Sequence, residues 1–151
     1  MNYKKISKCR ICKSDKIKKI LDLGEQAFTG KFPSSKQKNI AKSPLSISLC
    51  LKCKFVQLSH NFKSSYLYNQ EYGYESGINS TMKNHLSKIT EKVSKLKKLT
   101  KNSIVVDIAS NDGTLLNSYK KNVIRVGIDP ILNRFKNNYS KINHKIPDFF
   151  S

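Results

Sequence analysis

Tryptophan is absent from this 151-residue chain, glycine occurs only six times, and acidic residues are outnumbered by basic ones, 10 to 29. No run of about 18 apolar residues is present, which excludes a transmembrane helix and a membrane partner. The N-terminal segment MNYKKISKCR lacks the apolar stretch of a signal peptide. The sequence therefore predicts a cytoplasmic protein.

The formal net charge of +19 first suggests a nucleic-acid partner. Only Arg10, Arg125 and Arg134 are arginine, and the lysines are scattered along a chain that is also rich in Asn and Ile. Lys, Asn and Ile all have AT-rich codons, so genome composition explains much of the charge. We expect a solvated lysine surface without nucleic acid bound. A polyanion site is the alternative. The positive electrostatic field of the chain would also attract a small substrate that bears a phosphate.

The four cysteines form two C-x2-C pairs, Cys9 with Cys12 and Cys50 with Cys53. In a reducing compartment this pattern indicates metal rather than disulfides. Each pair aims two thiolates at one point, and two pairs complete a tetrahedral site that suits zinc, with Zn–S distances of about 2.3 Å. Four protein ligands leave no position for water, so the zinc would be structural. Redox pairs or unliganded thiols are the alternatives, but neither pair lies beside a βαβ pattern.

The first 62 residues are predicted to form a zinc-ribbon-like α+β domain. Short strands are expected at 20–24, at 45–49, where apolar residues and serines alternate, and at 55–58. Residues 63–101 are predicted to hold an aromatic linker and a helix beginning near Asn79. The linker tyrosines suit either a sugar or base site or packing between domains. The apolar positions of the helix recur at steps of three and four: Met82, Leu86, Ile89, Val93, Leu96 and Leu99.

Residues 102–151 read as β-α-β-α-β, the start of a Rossmann-like α/β domain. Strands are predicted at 104–108 and 124–128, with a weak third strand ending at Asp148. A helix is expected to follow the loop 109–113 and to run to about Lys121. A second helix is expected at 133–139.

The loop after the first of these strands favours S-adenosylmethionine (SAM) over a dinucleotide. A dinucleotide needs G-x-G-x-x-G, whereas this loop holds only Gly113, with Asp107 and Asp112 where a pyrophosphate would lie. Like charges at about 4 Å cost roughly 1–4 kcal/mol. SAM carries no phosphate, and its sulfonium and ammonium groups are cationic. The candidate SAM contacts are Asp107, Ala109, Ser110, Asn111, Asp112, Gly113, Asp129 and Asp148.

Within this set Asp129 is placed to accept the ribose hydroxyls, and Asp148 to meet the adenine amino group. The alternative is that these residues are ordinary strand-end acids in turns.

Several motifs together resemble one family, the SAM-dependent C-methyltransferases of nucleotide-activated sugars. They are CRIC, LDLG, PLSISLCLKCKFVQL, YGYESGIN, VVDIASNDGTLL, VGIDP and IPDFFS, and they span nearly all of the chain. The resemblance implies a four-cysteine zinc-binding domain followed by a class I methyltransferase domain and a further C-terminal domain. Two positions depart from the family pattern, since Ala109 and Lys54 stand where glycine is usual.

The resemblance also implies a reaction. A base removes a proton alpha to the keto group of a nucleotide-activated 4-keto-6-deoxysugar, and the enolate takes the methyl group of SAM. Tyr72 and Tyr74 would border the active site, and the general base, a histidine, lies well beyond the third strand in the family. The chain stops at Ser151, so we expect a truncated product or a fragment that is inactive without its missing C-terminal portion.

Two other functions fit parts of the sequence. One is a basic zinc-ribbon module that binds nucleic acid, which would need lysines clustered on one face beside exposed aromatic residues. The other is a non-catalytic remnant that still binds zinc and, weakly, SAM.

Overall fold

A computed structural model describes residues 3–28, 30, 32, 41–119 and 122–151. The chain divides into two units, Met1–Gly73 and Tyr74–Ser151. The first unit takes in the predicted domain 1–62 and the start of the predicted linker. The second unit holds the rest of residues 63–101 together with residues 102–151.

The first unit is built from short antiparallel strands. Its elements are β1 (Tyr3–Lys5), β2 (Ile17–Ala27), β3 (Lys42–Cys50), β4 (Val56–Leu58), β5 (His60–Phe62) and a short helix, α1 (Ser64–Leu67). One sheet has the order β2-β3-β4, and β1 pairs separately with β5. The three strands predicted from the sequence are therefore present, and β2 and β3 are longer than predicted.

The period-two pattern of β3 is confirmed, but its polar face is the more buried one. Ser46 and Ser48 are only 4% and 5% exposed, whereas Ile47 is half-buried. On the serine face Gln57 of β4 accepts a hydrogen bond from the backbone N–H of Arg10 and donates one to the carbonyl of Lys8. The chain entering the first cysteine pair is thus tied to this face, which explains its burial.

The first unit has little apolar core. Phe28 is buried and packs edge-on against Phe62 and Tyr66, with ring centroids 5.9 and 4.9 Å away. Among the described residues of this unit, the only other buried hydrophobic side chains are Cys9 and Cys50. Because domains this small rarely fold on a thin core alone, the cysteines are the natural source of additional stability.

The second unit contains a parallel sheet in the order β6-β7-β8. Its elements are α2 (Ser80–Leu96), β6 (Ile104–Ile108), α3 (Thr114–Ser118), β7 (Ile124–Ile128) and β8 (His144–Ile146). Strands β6 and β7 have the predicted bounds, and their paired residues run in register from Ile104 opposite Ile124 to Ile108 opposite Ile128. Within the described ranges no helix is both long and apolar enough to cross a bilayer.

The helical segments of this unit differ from the prediction. The helix expected at 133–139 is replaced by two 3-10 turns, Leu132–Phe135 and Asn138–Lys141. Leu132 and Phe135 are both buried, and their spacing of three suits a 3-10 turn. Asn137, between the two turns, and Asn138, which begins the second, are also weak helix formers. Helix α3 ends at Ser118, and the predicted end at Lys121 lies outside the described residues.

Helix α2 begins as predicted, because the side chain of Asn79 accepts a hydrogen bond from the N–H of Met82. It packs against α3. Thr90 is its one buried residue, at 2% exposure, and the hydroxyl of Thr90 donates to the carbonyl of Ser87. The lysines of this helix are exposed, as predicted.

Candidate metal centre and strand-end loop

The two cysteine pairs form matching turns. The N–H of Lys13 donates to the carbonyl of Cys9 at 3.0 Å, and the N–H of Lys54 donates to the carbonyl of Cys50 at 2.9 Å. The backbone of both lysines is in the left-handed conformation, with φ of 60° at Lys13 and 62° at Lys54. A left-handed residue usually favours glycine, so Lys54, which stands where the resembled family usually has glycine, adopts the conformation that glycine would supply.

These turns bring all four sulfur atoms together. The Sγ atoms of Cys9 and Cys53 are 3.6 Å apart, as are those of Cys12 and Cys50, and all four lie within 4.8 Å of one another. A tetrahedral zinc ion with Zn–S bonds of about 2.3 Å would hold its sulfurs roughly 3.8 Å apart. The donor set and its spacing therefore fit a structural zinc ion.

The ionisation of the thiols is unequal. The backbone N–H of Cys53 is the main cause that lowers the pKa of Cys50 to about 6. The N–H of Phe55 favours the thiolate of Cys53, but desolvation and the neighbouring thiols oppose it and raise the pKa of Cys53 to about 12. Four thiolates cannot share this space without a counter-charge, and a bound dication supplies one.

In the second unit, the loop between β6 and α3 folds around carboxylates. The buried Asp129, at the end of β7, accepts hydrogen bonds from the N–H groups of Asn111 and Ile131, both at 2.9 Å. The buried Asp112 accepts from the N–H groups of Thr114 at 3.1 Å and Gly77 at 2.6 Å. Both acids therefore position backbone, which is the structural role left open by the sequence.

Asp107, at the end of β6, has a different environment. It is half-buried, and within the described part of the chain no hydrogen bond or ion pair reaches its carboxylate. Burial, and secondarily the charge of Asp129, raises the pKa of Asp107 to about 6. A nearby cation would stabilise the ionised form of Asp107, because its positive charge offsets both the lost solvation and the repulsion from Asp129.

Two parts of the site were not identified from the sequence. Tyr139 is 1% exposed, its Oη lies 2.7 Å from the Ser110 hydroxyl, and it donates to the carbonyl of Asn111 at 3.0 Å. The N–H of Ser76 donates to the side chain of Asn111 at 2.9 Å. A Cβ added at Gly77 would lie 2.7 Å from a carboxylate oxygen of Asp112. The motif YGYESGIN is thus attached to the strand-end loop through the backbone N–H groups of Ser76 and Gly77. In the sequence, Gly77 was the one sign of this close approach.

The structure brings most of the predicted cofactor residues together at the carboxyl ends of β6 and β7. Asp148 is the exception, because it is exposed and, among the residues that the structure describes, its carboxylate accepts only the N–H of Phe149. Tyr72 belongs to the first unit, where its ring contacts Tyr68 edge-on at 5.2 Å. Tyr74 belongs to the second unit, is 43% exposed, and accepts a hydrogen bond from Asn111 Nδ2 through its carbonyl.

Two substitutions in this loop have opposite expected effects. Ala109 is left-handed with φ of 61°, which costs an alanine about 1–2 kcal/mol, so Ala109→Gly should raise the free energy of unfolding of the second unit by about 1 kcal/mol. Gly113→Ala should lower it by more than about 1 kcal/mol, because φ is 75° there and the new Cβ would lie 3.0 Å from Ile142. Urea unfolding of both variants measures the two changes in the free energy of unfolding. Destabilisation by Ala109→Gly would contradict the loop conformation.

One family model matches the chain. It is Methyltransf_13, described as "Putative zinc binding domain", and it matches residues 9–68, which include all four cysteines. No curated protein matches the chain. The match and the sulfur geometry together support zinc binding, and the family's name associates this zinc-binding domain with methyltransferases.

Proposed function

We propose that the chain is part of a SAM-dependent C-methyltransferase that acts on a nucleotide-activated keto-deoxysugar. The observation that carries the proposal is the strand-end loop, in which Asp107, Asp112 and Asp129 converge beside a single glycine, Gly113. The methyltransferase-associated zinc-binding domain at residues 9–68 supports the same reaction class. The keto-deoxysugar rests on the resemblance of the motifs.

The charge of the loop is the reason to prefer SAM. Asp107 is unpaired among the described residues, and its pKa is already raised by burial and by Asp129. A pyrophosphate at this place would add more negative charge, whereas the sulfonium and ammonium groups of SAM would offset it. Open α/β sheets bind ligands outside the carboxyl ends of their strands, and both Asp107 and Asp129 lie there.

Each group then has a defined task. When bound, SAM supplies an electrophilic methyl group. Asp129 holds one backbone N–H on each carboxylate oxygen, and each oxygen retains a lone pair for a ribose hydroxyl. Asp107 would offset cationic charge, and Tyr139 holds the loop through Ser110 and Asn111. Zinc would fix the cysteine turns of the first unit and take no part in methyl transfer. The proposal assigns no general base to the described residues.

Calorimetric titration of the whole chain with SAM, from pH 5 to pH 8, tests the proposal. Binding needs the ionised form of Asp107, so affinity should be greatest above about pH 6 and should fall as the pH is lowered through that value. A cation that favours the carboxylate lowers its pKa, so binding near pH 6 should release protons. Asp107→Asn should weaken binding by about tenfold, which corresponds to about 1.4 kcal/mol, and should flatten the pH dependence.

The controls are a different cofactor and a different acid. NAD should produce no heat, because the loop lacks the glycines that admit a pyrophosphate. Asp22→Asn replaces an exposed acid of the first unit and should leave SAM affinity unchanged. Binding of NAD in place of SAM, or SAM affinity that is indifferent to Asp107→Asn, would refute the assignment of this loop.

A further inference from the structure

The first unit holds a groove that none of the four cysteines lines. It has a volume of about 510 Å³ and runs between the serine face of β3 and the segment Lys5–Ser7, which begins with the last residue of β1. Ser59 lies at its corner, where the chain leaves β4 for β5. The N–H of Ser59 donates to the carbonyl of Ser46, which joins the two strands there. The volume is within the range of small-molecule sites.

The floor of the groove carries more hydroxyl groups than the fold uses. Ser46, Ser48 and Ser59 are 4%, 5% and 7% exposed. The hydroxyls of Ser48 and Ser59 lie 2.7 Å apart and satisfy each other, with one hydrogen left to donate. Ser46 also lines the groove; within the described ranges its hydroxyl makes no hydrogen bond and its oxygen is not fully shielded from solvent, so a ligand in the groove could reach it. His60 also lines it, and its Nδ1 is buried with no partner in the same part of the chain.

Unsatisfied polar groups of this kind normally cost free energy. A buried polar atom without a partner, as Nδ1 of His60 is among the described residues, costs about 1–3 kcal/mol. The hydroxyl of Ser46 and the spare hydrogen of the Ser48–Ser59 pair are donors that the described residues leave available at the same groove. The arrangement is therefore explained best by a ligand that accepts hydrogen bonds from the serine face.

The charges around the groove favour an anionic acceptor. Lys5 and Lys19 both line it, with Asp22 as the one acid. Asp22 is already occupied, because one oxygen lies 2.5 Å from Lys19 Nζ and the other accepts the N–H of Gly24 at 3.0 Å. Lys5 has no ion pair among the described residues, so the groove retains an uncompensated positive charge next to free hydroxyl donors.

We propose that this groove binds a phosphate group of a small ligand, with the hydroxyl of Ser46, the Ser48–Ser59 pair and the ammonium group of Lys5 as its donors. Phosphate accepts several hydrogen bonds, and its negative charge would pair with the ammonium group of Lys5. The inference is independent of the SAM loop. The same chemistry is offered by free inorganic phosphate and by the diphosphate of a nucleotide.

Titration of the zinc-loaded chain, followed by amide chemical shifts, tests the site with inorganic phosphate, pyrophosphate and a nucleoside diphosphate in separate arms. Saturable shifts should be confined to the residues that line the groove. Ser46→Ala and Lys5→Met should each weaken binding by about tenfold. Tighter binding of the nucleoside diphosphate than of pyrophosphate would identify a nucleotide as the source, and equal binding would identify phosphate alone. Zinc content is measured at each endpoint.

A matched lysine on the other side of the same sheet separates a site from general attraction. Lys18 is exposed and pairs with Leu49 on the face opposite the serines, so Lys18→Met should leave affinity unchanged. The melting temperature of Ser46→Ala should stay the same, because within the described ranges the hydroxyl makes no hydrogen bond that the substitution would remove.

Three results would overturn the proposal. They are the absence of saturable shifts, equal losses from Lys5→Met and Lys18→Met, and a marked fall in the stability of Ser46→Ala. SAM binding is measured on the other unit, so these results leave the methyltransferase proposal unaffected.

Discussion

Replacing Cys50 with serine is expected to abolish zinc binding and to unfold the first unit. Purified protein should contain one zinc ion per chain, and the variant almost none, because a serine oxygen is a poor substitute for a soft thiolate. The four Sγ atoms lie within 4.8 Å of one another, so losing one ligand leaves an open and weak site. Metal analysis and amide spectra of the first unit measure the two effects together.

The size of this effect follows from the thin core of the first unit. Phe28 is its one buried aromatic side chain among the described residues, and the cysteines supply much of the remaining burial. In zinc-finger peptides, metal binding contributes about 10–16 kcal/mol of apparent free energy, and such domains unfold without metal. A chelator should therefore reproduce the effect of the substitution in the unaltered protein.

Lys52→Ser is the matched control for Cys50→Ser. Lys52 lies between the two ligands of the second cysteine pair and is exposed. Its substitution should leave both zinc content and folding unchanged. A folded Cys50→Ser variant that holds no metal would contradict the structural role of zinc, and so would a purified protein that is folded and free of metal from the start.

Replacing Asp129 with alanine is expected to lower the free energy of unfolding of the second unit by about 2–4 kcal/mol, since two buried N–H groups lose a charged acceptor. Asp129→Asn should cost less, because one acceptor oxygen remains. Both variants remove the charge that helps to raise the pKa of Asp107, so the carboxyl of Asp107 should titrate below about 6. Urea unfolding gives the stability, and carboxyl resonances give the titration.

Asp148→Asn is the control, because Asp148 also follows a strand of the same sheet. It is exposed, and within the described ranges its carboxylate accepts only the N–H of the next residue. The change in stability should be within about 0.5 kcal/mol, as is usual for exposed positions. Equal losses from Asp129→Ala and Asp148→Asn would show that Asp129 does not anchor the loop.

The sequence was sufficient to predict the features that depend on short-range patterns. The C-x2-C spacing predicted two turns that aim thiols at one point, and the structure places those thiols together. The apolar runs that end in Asp107 and Asp129 predicted β6 and β7 with correct bounds. Local geometry determines such features, so the residues that carry them can be recognised without knowledge of distant contacts.

Features that depend on distant contacts were not predicted. The burial of the serine face of β3 depends on a segment that lies far away in the sequence, around Lys8 and Arg10. Tyr139 was assigned to a helix, and its role at Asn111 follows from a 3-10 turn that brings its hydroxyl back to the loop. The roles of Ser76 and Gly77 likewise depend on tertiary contacts with side chains 35 positions later.

The division of the chain between Gly73 and Tyr74 has a consequence for the order of events during translation. All four metal ligands precede the division, and β6 to β8 follow it. At about 5–20 residues per second, Cys53 leaves the ribosome several seconds before Asp129 is made. The nascent chain can therefore capture zinc and close its first unit before the parallel sheet exists. Zinc supply during synthesis would then determine whether the thiols are protected or left open to oxidation.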